Sequence, residues 1–550
     1  MVLISARDRA GIRRPQTERP RGASLDLPEP DLGRAADAPA VTRWTADEIR
    51  RVGREVVDMI ADHLAGIAER PLSRPVPGSI AASLATSSLP RAGADPDSLL
   101  AEVRDSVMPY PLGNNHPLFW AWVCAPTTVM GVFGEALAAA LNPHCDVGEH
   151  AAIHLERGVI GWFRDLVGYP SEAGGLLVSG GSMANLTGIA AARSALAGRD
   201  IRRVGLQDGG PRMVGYVSEE GHSCLRKSFE LLGLGSEALR SIPSGRDFRI
   251  RLDLLVDRIE RDLSDGHRPF ILIGNAGSTN TGAIDPLDDL AAIARRFGLW
   301  YHVDGAYGAP AIMSRRYRGE LEPIALADSL AVDPHKWLQA PVEAGVALVR
   351  DVTALRAAFS LVPAYLREGD ATTSESGVPG GDVRHTDRGG TTSFAELGFQ
   401  QTRGFRALKL WLGLRELGLD RIGDLIESNI ATAERLALLV GSASDLELLG
   451  GPSLSVVCFR YLPGPETGDR SPAETDALNR AIARRIQRGG EAFLAETEVR
   501  GRAALRICIV NGGARPSDAD RVVELVRREG RALTDARAGR RRGDVSAAAS

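Results

Sequence analysis

The sequence predicts an α/β protein. It reads as a mostly parallel sheet covered by helices on both faces, with an N-terminal helical segment and a small C-terminal α+β domain. Between about Pro111 and Gly413, short apolar runs alternate with helical stretches. Strands buried on both faces read as such runs, and helices between them imply crossover connections. Each run also ends in glycine or polar residues, as strands do.

Residues 1–40 are rich in Arg, Pro and Ala and are expected to be a disordered leader. Residues 41–112 form the helical segment. In "WTADEIRRVGREVVDMIADHLAGIAER", Thr45 and Glu48 have the spacing of a capping box, and Ile49, Val52, Val56, Ile60 and Leu64 recur at helical spacing. A Pro- and Ser-rich connector precedes a second helix at "DSLLAEVRDSV". Each helix has one apolar face, which the main body or a second subunit must cover.

Residues 113–413 form the large α/β domain. Its strands are expected at "GLLVSG", "RMVGYVSEE", "PFILIGNAG", "LWYHVDG" and "DSLAVDP". Helices are expected at "MANLTGIAAARSALA", "RLDLLVDRIERDL" and "PLDDLAAIARRFG". Residues 414–533 form the smaller domain. The helices around "RALKLWLGLRELG" and "DRIGDLIESNIATAERLALLVGS" lead into it, strands "LSVVCFRYL" and "ALRICIVNG" flank a helix at "ETDALNRAIARRIQRGGEAFL", and a last helix, "PSDADRVVELVRREG", completes it. Residues 534–550 read as a frayed tail.

The chain has 550 residues, a net charge of −4 and 25% charged residues, so no basic surplus points to nucleic acid. Five cysteines without a CxxC pair fit a reducing compartment. No stretch approaches signal-peptide or membrane-span length, so a cytoplasmic enzyme with no membrane partner is expected.

In α/β sheets ligands gather beyond the C-terminal strand ends, and the unusual residues of this sequence stand there. "VSGGSMAN" turns from strand to helix at Gly180, Gly181 and Ser182. That is either a plain turn or a helix-start anion site suited to phosphate, and it is no Walker A loop. His222 in "EEGHSC" reads either as a loop histidine capping a helix or as a site residue. Asp304 in "HVDGAYG" reads as a turn former or as the buried anion that holds a cationic ring nitrogen. "GSTN" adds Thr279 at a further strand end, and "DPHKW" places Lys336 after another. Lysine for a Schiff base, Asp for a pyridine nitrogen, a flat ring and a glycine–serine helix start together meet the needs of pyridoxal 5'-phosphate.

These motifs resemble the group II pyridoxal-phosphate-dependent amino acid decarboxylases, which include aromatic amino acid, histidine and glutamate decarboxylases. The lysine signature is Ser329, Leu330, five residues, then Lys336. Further matches are "VGREVVDMIADHLAGI", "MPYPLGNNHPLFWAW", "GGSMAN", "EEGHSC", "HVDGAYG" and "GFRALKLWLGLRELG", from about Trp44 to Gly530. The resemblance implies a fold-type-I enzyme with a seven-stranded sheet and a homodimer clasped by its N-terminal helices. By position it makes Lys336 the Schiff-base lysine, Asp304 the pyridinium partner and His222 the ring that stacks on the cofactor. His335 stands beside the lysine, Ser182 and the Met183 backbone hold the phosphate, Ala306 packs under the ring and Thr279 is near the substrate. Tyr365 matches a mobile-loop tyrosine that protonates Cα. Asp333 occupies a position where close relatives often have Asn.

An L-amino acid is the expected substrate. Phe119, Trp120 and Trp122 either favour an aromatic side chain or pack the core. Acidic substrates stay open through Arg403, Arg406 or Arg384, and diaminobutyrate through the resemblance. Aldehyde synthesis or transamination on the same scaffold, and a non-enzymatic binding protein, are the rival functions. His144, Cys145, His150 and His154 have partial metal spacing but lack HExxH, so no metal is expected.

Overall fold

In the computed structural model, residues 44–146, 148–207, 209–361, 393–464 and 470–548 are described, with side chains to residue 535. The expected leader, Tyr365 and Arg384 lie outside the described residues. Residues 59–550 form one compact unit.

Helices α1 (Ala46–Ala65), α2 (Gly78–Thr86) and α3 (Pro96–Ser106) come first, and none has a buried residue. Thr45 and Glu48 make the expected reciprocal cap of α1. α2 falls inside the stretch that reads as a connector. Helices α4 (Val129–Leu141) and α5 (Ala151–Leu166) lead to the large sheet.

The sheet region contains β1 (Gly174–Val178), α6 (Gly181–Leu196), α7 (Ile201–Val204), β2 (Met213–Ser218), α8 (Ser223–Leu231) and β3 (Leu239–Ile242). It continues through α9 (Leu252–Ser264), β4 (Arg268–Asn275), α10 (Leu287–Phe297), β5 (Trp300–Asp304) and α11 (Arg318–Leu321). β6 (Ser329–Val332), β7 (Gly345–Val349) and α12 (Thr353–Phe359) complete it.

Seven strands lie in the order β1-β7-β6-β5-β4-β2-β3. The pairs β3–β2, β2–β4, β4–β5 and β5–β6 are parallel. β7 runs antiparallel between β1 and β6. The expected seven-stranded, mostly parallel sheet is therefore present. β3 and β7 escape the sequence reading: β3 lies at the sheet edge and carries Arg240 and Ser241 in four residues, while β7 is a buried apolar run that the reading passes over.

α13 (Arg406–Gly441) joins the two helices expected around Gly418, where the backbone leaves helical geometry at φ 72°. The second sheet is four-stranded and antiparallel, β10-β11-β9-β8. It comprises β8 (Leu446–Ser453), β9 (Val456–Tyr461), β10 (Ala495–Val499) and β11 (Arg502–Cys508), with α14 (Pro472–Gly489) between the two pairs. Only β9 and β11 are legible in the sequence; β8 carries two glycines and a proline, and β10 reads "AETEV". α15 (Pro516–Ala548) continues as helix where the sequence suggests fraying from residue 534. No helix among the described residues is long and apolar enough to cross a membrane.

Candidate active site

Because β2, β4, β5 and β6 run parallel, their C-terminal ends reach one edge of the sheet. There the register sets Asn275 beside Asp304, and Asp304 beside Ala331. β1 also ends here and passes through Gly180 into α6. Gly180 sits at φ 149° and ψ 178°, a conformation open to glycine and costly for other residues.

β6 ends at Val332, and the next four residues turn back on themselves, with the Lys336 N–H donating to the Asp333 carbonyl at 3.0 Å. The following residue fixes that turn. Trp337 is fully buried, stacks on Tyr307 at 5.0 Å, and donates its indole N–H to Asn429 at 3.0 Å. Truncating a buried indole costs about 3–5 kcal/mol, so the lysine stands on a rigid support. Lys336 Nζ lies 3.0 Å from Asp333 Oδ2. Burial opposes its charge, but the Asp333 and Asp304 carboxylates outweigh that and hold the ammonium above the ordinary lysine range.

Asp304 is buried at the end of β5, and its Oδ1 accepts from the Ala306 N–H at 3.2 Å. Two residues earlier, His302 is fully buried with both ring nitrogens engaged, at 2.7 Å from Ser329 Oγ and 2.7 Å from Asn185 Oδ1. Burial pushes His302 down to about 4, so the ring is neutral at pH 7. The donors then run in one direction, from the Trp300 indole to Ser329, from Ser329 to His302 and from His302 to Asn185. Asn185 in turn donates to the Gly181 carbonyl at 2.9 Å. This buried relay ties β5 and β6 to the first turn of α6, and the sequence reading misses it.

His222 caps α8, its Nδ1 accepting from the Cys224 N–H at 3.2 Å. Burial lowers its pKa against the pull of Asp304, so the neutral ring carries its proton on Nε2. His222 thus caps α8 and also lines the recess at the strand ends.

Gly181, Ser182, His222, Thr279, Asp304, Ala306, Asp333 and Lys336 surround a recess of about 40 Å³. His222, Thr279 and Lys336 also line an adjoining cavity of about 1030 Å³, so the recess is the floor of a larger space. His335 borders the larger cavity, its Nδ1 bound to the Ala344 carbonyl at 2.7 Å. The Met183 side chain packs into an apolar cluster instead, which leaves its backbone at the α6 turn.

Several expected pocket residues are placed elsewhere. Trp120 is fully buried, donates to the Pro117 carbonyl and belongs to the core beside the small sheet, so the core alternative wins there. Phe119 stacks on Phe493 in that core. Trp122 is 46% exposed and borders the cavity, held at φ 52° with its carbonyl accepting from Arg506. Arg403 is buried against Glu156, and Arg406 pairs with Glu343 at 2.8 Å. Neither lines the recess or the adjoining cavity. His150 contacts the His144 carbonyl and His154 contacts Glu149, so the histidine group does not converge.

Arg506 is the cavity residue the sequence reading passes over. It is 4% exposed, and Nε and Nη1 donate to the Asn280 and Trp122 carbonyls. Nη2 is buried without a partner. A lone arginine in the apolar run "ALRICIV" is the signal that was available.

The recess fits pyridoxal phosphate: a rigidly held lysine amine, a buried carboxylate on the next strand, a flat neutral ring, and a helix start. One buried acceptor there, Asp333 Oδ1, lacks a donor. Residues 77–462 match the pyridoxal-dependent decarboxylase conserved domain. An aromatic-L-amino-acid decarboxylase of Bacillus atrophaeus is 34% identical, covering 85% of this chain and 92% of its own. A phenylacetaldehyde synthase of Arabidopsis thaliana is 28% identical, covering 84% and 92%. The crystal structure of Oryza sativa TDC with PLP and tryptamine superposes with a TM-score of 0.80, at 26% identity and over 90% of this chain and all of that one. The chain thus belongs to the pyridoxal-dependent decarboxylases and is a pyridoxal-phosphate-dependent amino acid carboxy-lyase.

Proposed function

We propose that the chain decarboxylates L-amino acids with an aromatic side chain, using a Schiff base at Lys336. The observation that carries this reading is the convergence of Lys336, Asp304, His222 and the start of α6 on one recess that opens towards Trp122. When bound, pyridoxal phosphate supplies an aldehyde for an amine to condense with and a ring that draws electrons from the substrate's Cα. Asp304 would face the ring nitrogen and keep it protonated. His222 and Ala306 would hold the two ring faces, with His335 beside the lysine. Ser182 and the Met183 backbone would take the phosphate, where the helix start favours an anion. Thr279, at the border of recess and cavity, would touch the substrate, and Tyr365 would return a proton to Cα.

Arg506 completes the site. Its unpartnered Nη2 would bind the substrate carboxylate and fix the bond to be broken relative to the ring. Trp122 offers an aromatic face beside it. Glu219, Glu220, Glu496 and Glu498 line the same cavity, but Glu219 accepts from Ser244, Glu496 pairs with Arg484 and Glu498 with Arg480, while Arg500 is spent on the Gly245 carbonyl and the Phe248 ring. With Arg506 given to the first carboxylate, the described lining offers no second open guanidinium for an acidic side chain, so glutamate and aspartate are disfavoured.

Carbon dioxide release measured over the twenty amino acids, DOPA and 2,4-diaminobutyrate should be greatest with aromatic substrates, with amine formed one-for-one. Aldehyde and peroxide in place of amine would move the chain to the synthases. Arg506→Ala should raise KM for the preferred substrate by about 10–100-fold, the loss of one charged hydrogen bond. An unchanged KM would remove Arg506 from the site.

The chain also reads as a homodimer. α1, α2 and α3 bury nothing, and Leu84, Leu89, Leu99, Val103 and Val107 are exposed along the last two helices and their connection. Light scattering should return twice the chain mass; a monomer at micromolar concentration would contradict it.

A further inference from the structure

Asp333 stands where two anions would meet. Its Oδ2 lies 3.0 Å from Lys336 Nζ, while its Oδ1 is buried and accepts no hydrogen bond. His335 Nδ1 is 3.8 Å from that oxygen but is engaged with Ala344. The carboxylate also presses on the start of α6. A Cβ built on Gly181 would meet Asp333 Oδ2 at 2.6 Å, and one on Gly180 would meet Oδ1 at 3.6 Å. On the reading above, which this inference rests on, that helix start holds the cofactor's phosphate. A phosphate monoester releases its second proton near pH ~6, so above that pH neither it nor Asp333 brings a donor to the other.

We propose that Asp333 and the anion held at the start of α6 share one proton, so that cofactor uptake is coupled to proton uptake at this carboxyl. Two buried acceptors brought against each other must either repel or bind a proton between them. Lys336 and His335 face the carboxyl from its own turn, and Asp304 shares Lys336 with it. His222 and Cys224 at the start of α8 also feel its charge. Of these only Lys336 holds a proton within hydrogen-bond distance of Asp333, and it is spent on Oδ2.

The test compares wild type with Asp333→Asn, which offers an amide donor in place of the acceptor. Dissociation constants for pyridoxal phosphate and for pyridoxal, which lacks the phosphate, are measured by fluorescence titration of the cofactor-free proteins from pH 6 to 9. For pyridoxal phosphate the wild-type to variant ratio should be near one at pH 6. It should then climb by up to about tenfold per pH unit, the slope of one proton. For pyridoxal the ratio should not change with pH, since any effect of the substitution on Lys336 acts on both ligands. Asp333→Ser should reproduce the climb, which separates loss of the carboxylate from the geometry of Asn. Unfolding of the cofactor-free variants verifies the fold. A flat ratio for pyridoxal phosphate, or the same climb for both ligands, overturns the shared proton while leaving the cofactor site intact. Equal wild-type affinity for the two ligands overturns it by removing the phosphate reading of the α6 start itself.

Discussion

Lys336→Ala is expected to abolish the visible absorption of protein-linked cofactor and to lower decarboxylation by at least about 10³-fold, roughly 4 kcal/mol of barrier. The amine is the only lysine nitrogen lining the recess among the described residues. Nearby nucleophiles are poor substitutes, because burial pushes the Cys224 thiol up to about 12 and leaves it protonated. The substitution also strips Asp333 of its partner. Breaking a buried ion pair costs about 3–5 kcal/mol, so the cofactor-free variant should unfold at a lower temperature than wild type. Adding Asp333→Asn should restore part of that loss, since the orphaned charge goes with it. Cofactor that stays linked through gel filtration of Lys336→Ala would sink the assignment of Lys336.

Asp304→Asn is expected to lower kcat by about 10²–10³-fold, some 3–4 kcal/mol, with a much smaller effect on folding. The two side chains have the same shape, and Asn keeps an oxygen to accept from the Ala306 N–H. What disappears is the negative charge. A buried carboxylate with no guanidinium beside it is expensive to keep, which makes sense where a cation is to be held. His302 beneath it is neutral, so it does not answer that charge. The Lys336 ammonium should also lose some of its support, because Asp304 is one of the two carboxylates that raise it. A variant whose single-turnover rate at saturating cofactor stays within about threefold of wild type would show that the charge is not used.

Much of this was legible in the residues. The apolar runs at β1, β2, β4, β5 and β6 are buried on both faces, and such runs have no other stable place in a soluble chain. β2, β4, β5 and β6 pair in parallel, and β1 runs the same way across the antiparallel β7, so their C-terminal ends reach one edge. Residues as distant in sequence as Ser182, His222, Asp304 and Lys336 can therefore be assembled on paper. Local chemistry also travels well, as with the Thr45–Glu48 cap and the break at Gly418.

Other features depend on partners that no local pattern names. Trp120 and Trp122 are two positions apart in one short motif, yet one is sealed in the core beside the small sheet and the other packs its ring on Phe493 and borders the cavity. The small sheet and the turn at Trp122 decide between them. Arg403 has the charge a substrate carboxylate needs, but Glu156 lies against it, whereas Arg506, inside a strand, keeps a buried nitrogen without a partner. Nothing local marks Asp333 as a carboxyl whose second oxygen lacks a donor. By itself the sequence determined the α/β class, the places of its main strands along the chain and the chemistry available at their ends, because periodicity and residue type are local properties. Only the tertiary structure decided which charges are already neutralised and which remain open to a ligand, because a charge is answered by whatever the fold brings within hydrogen-bond distance.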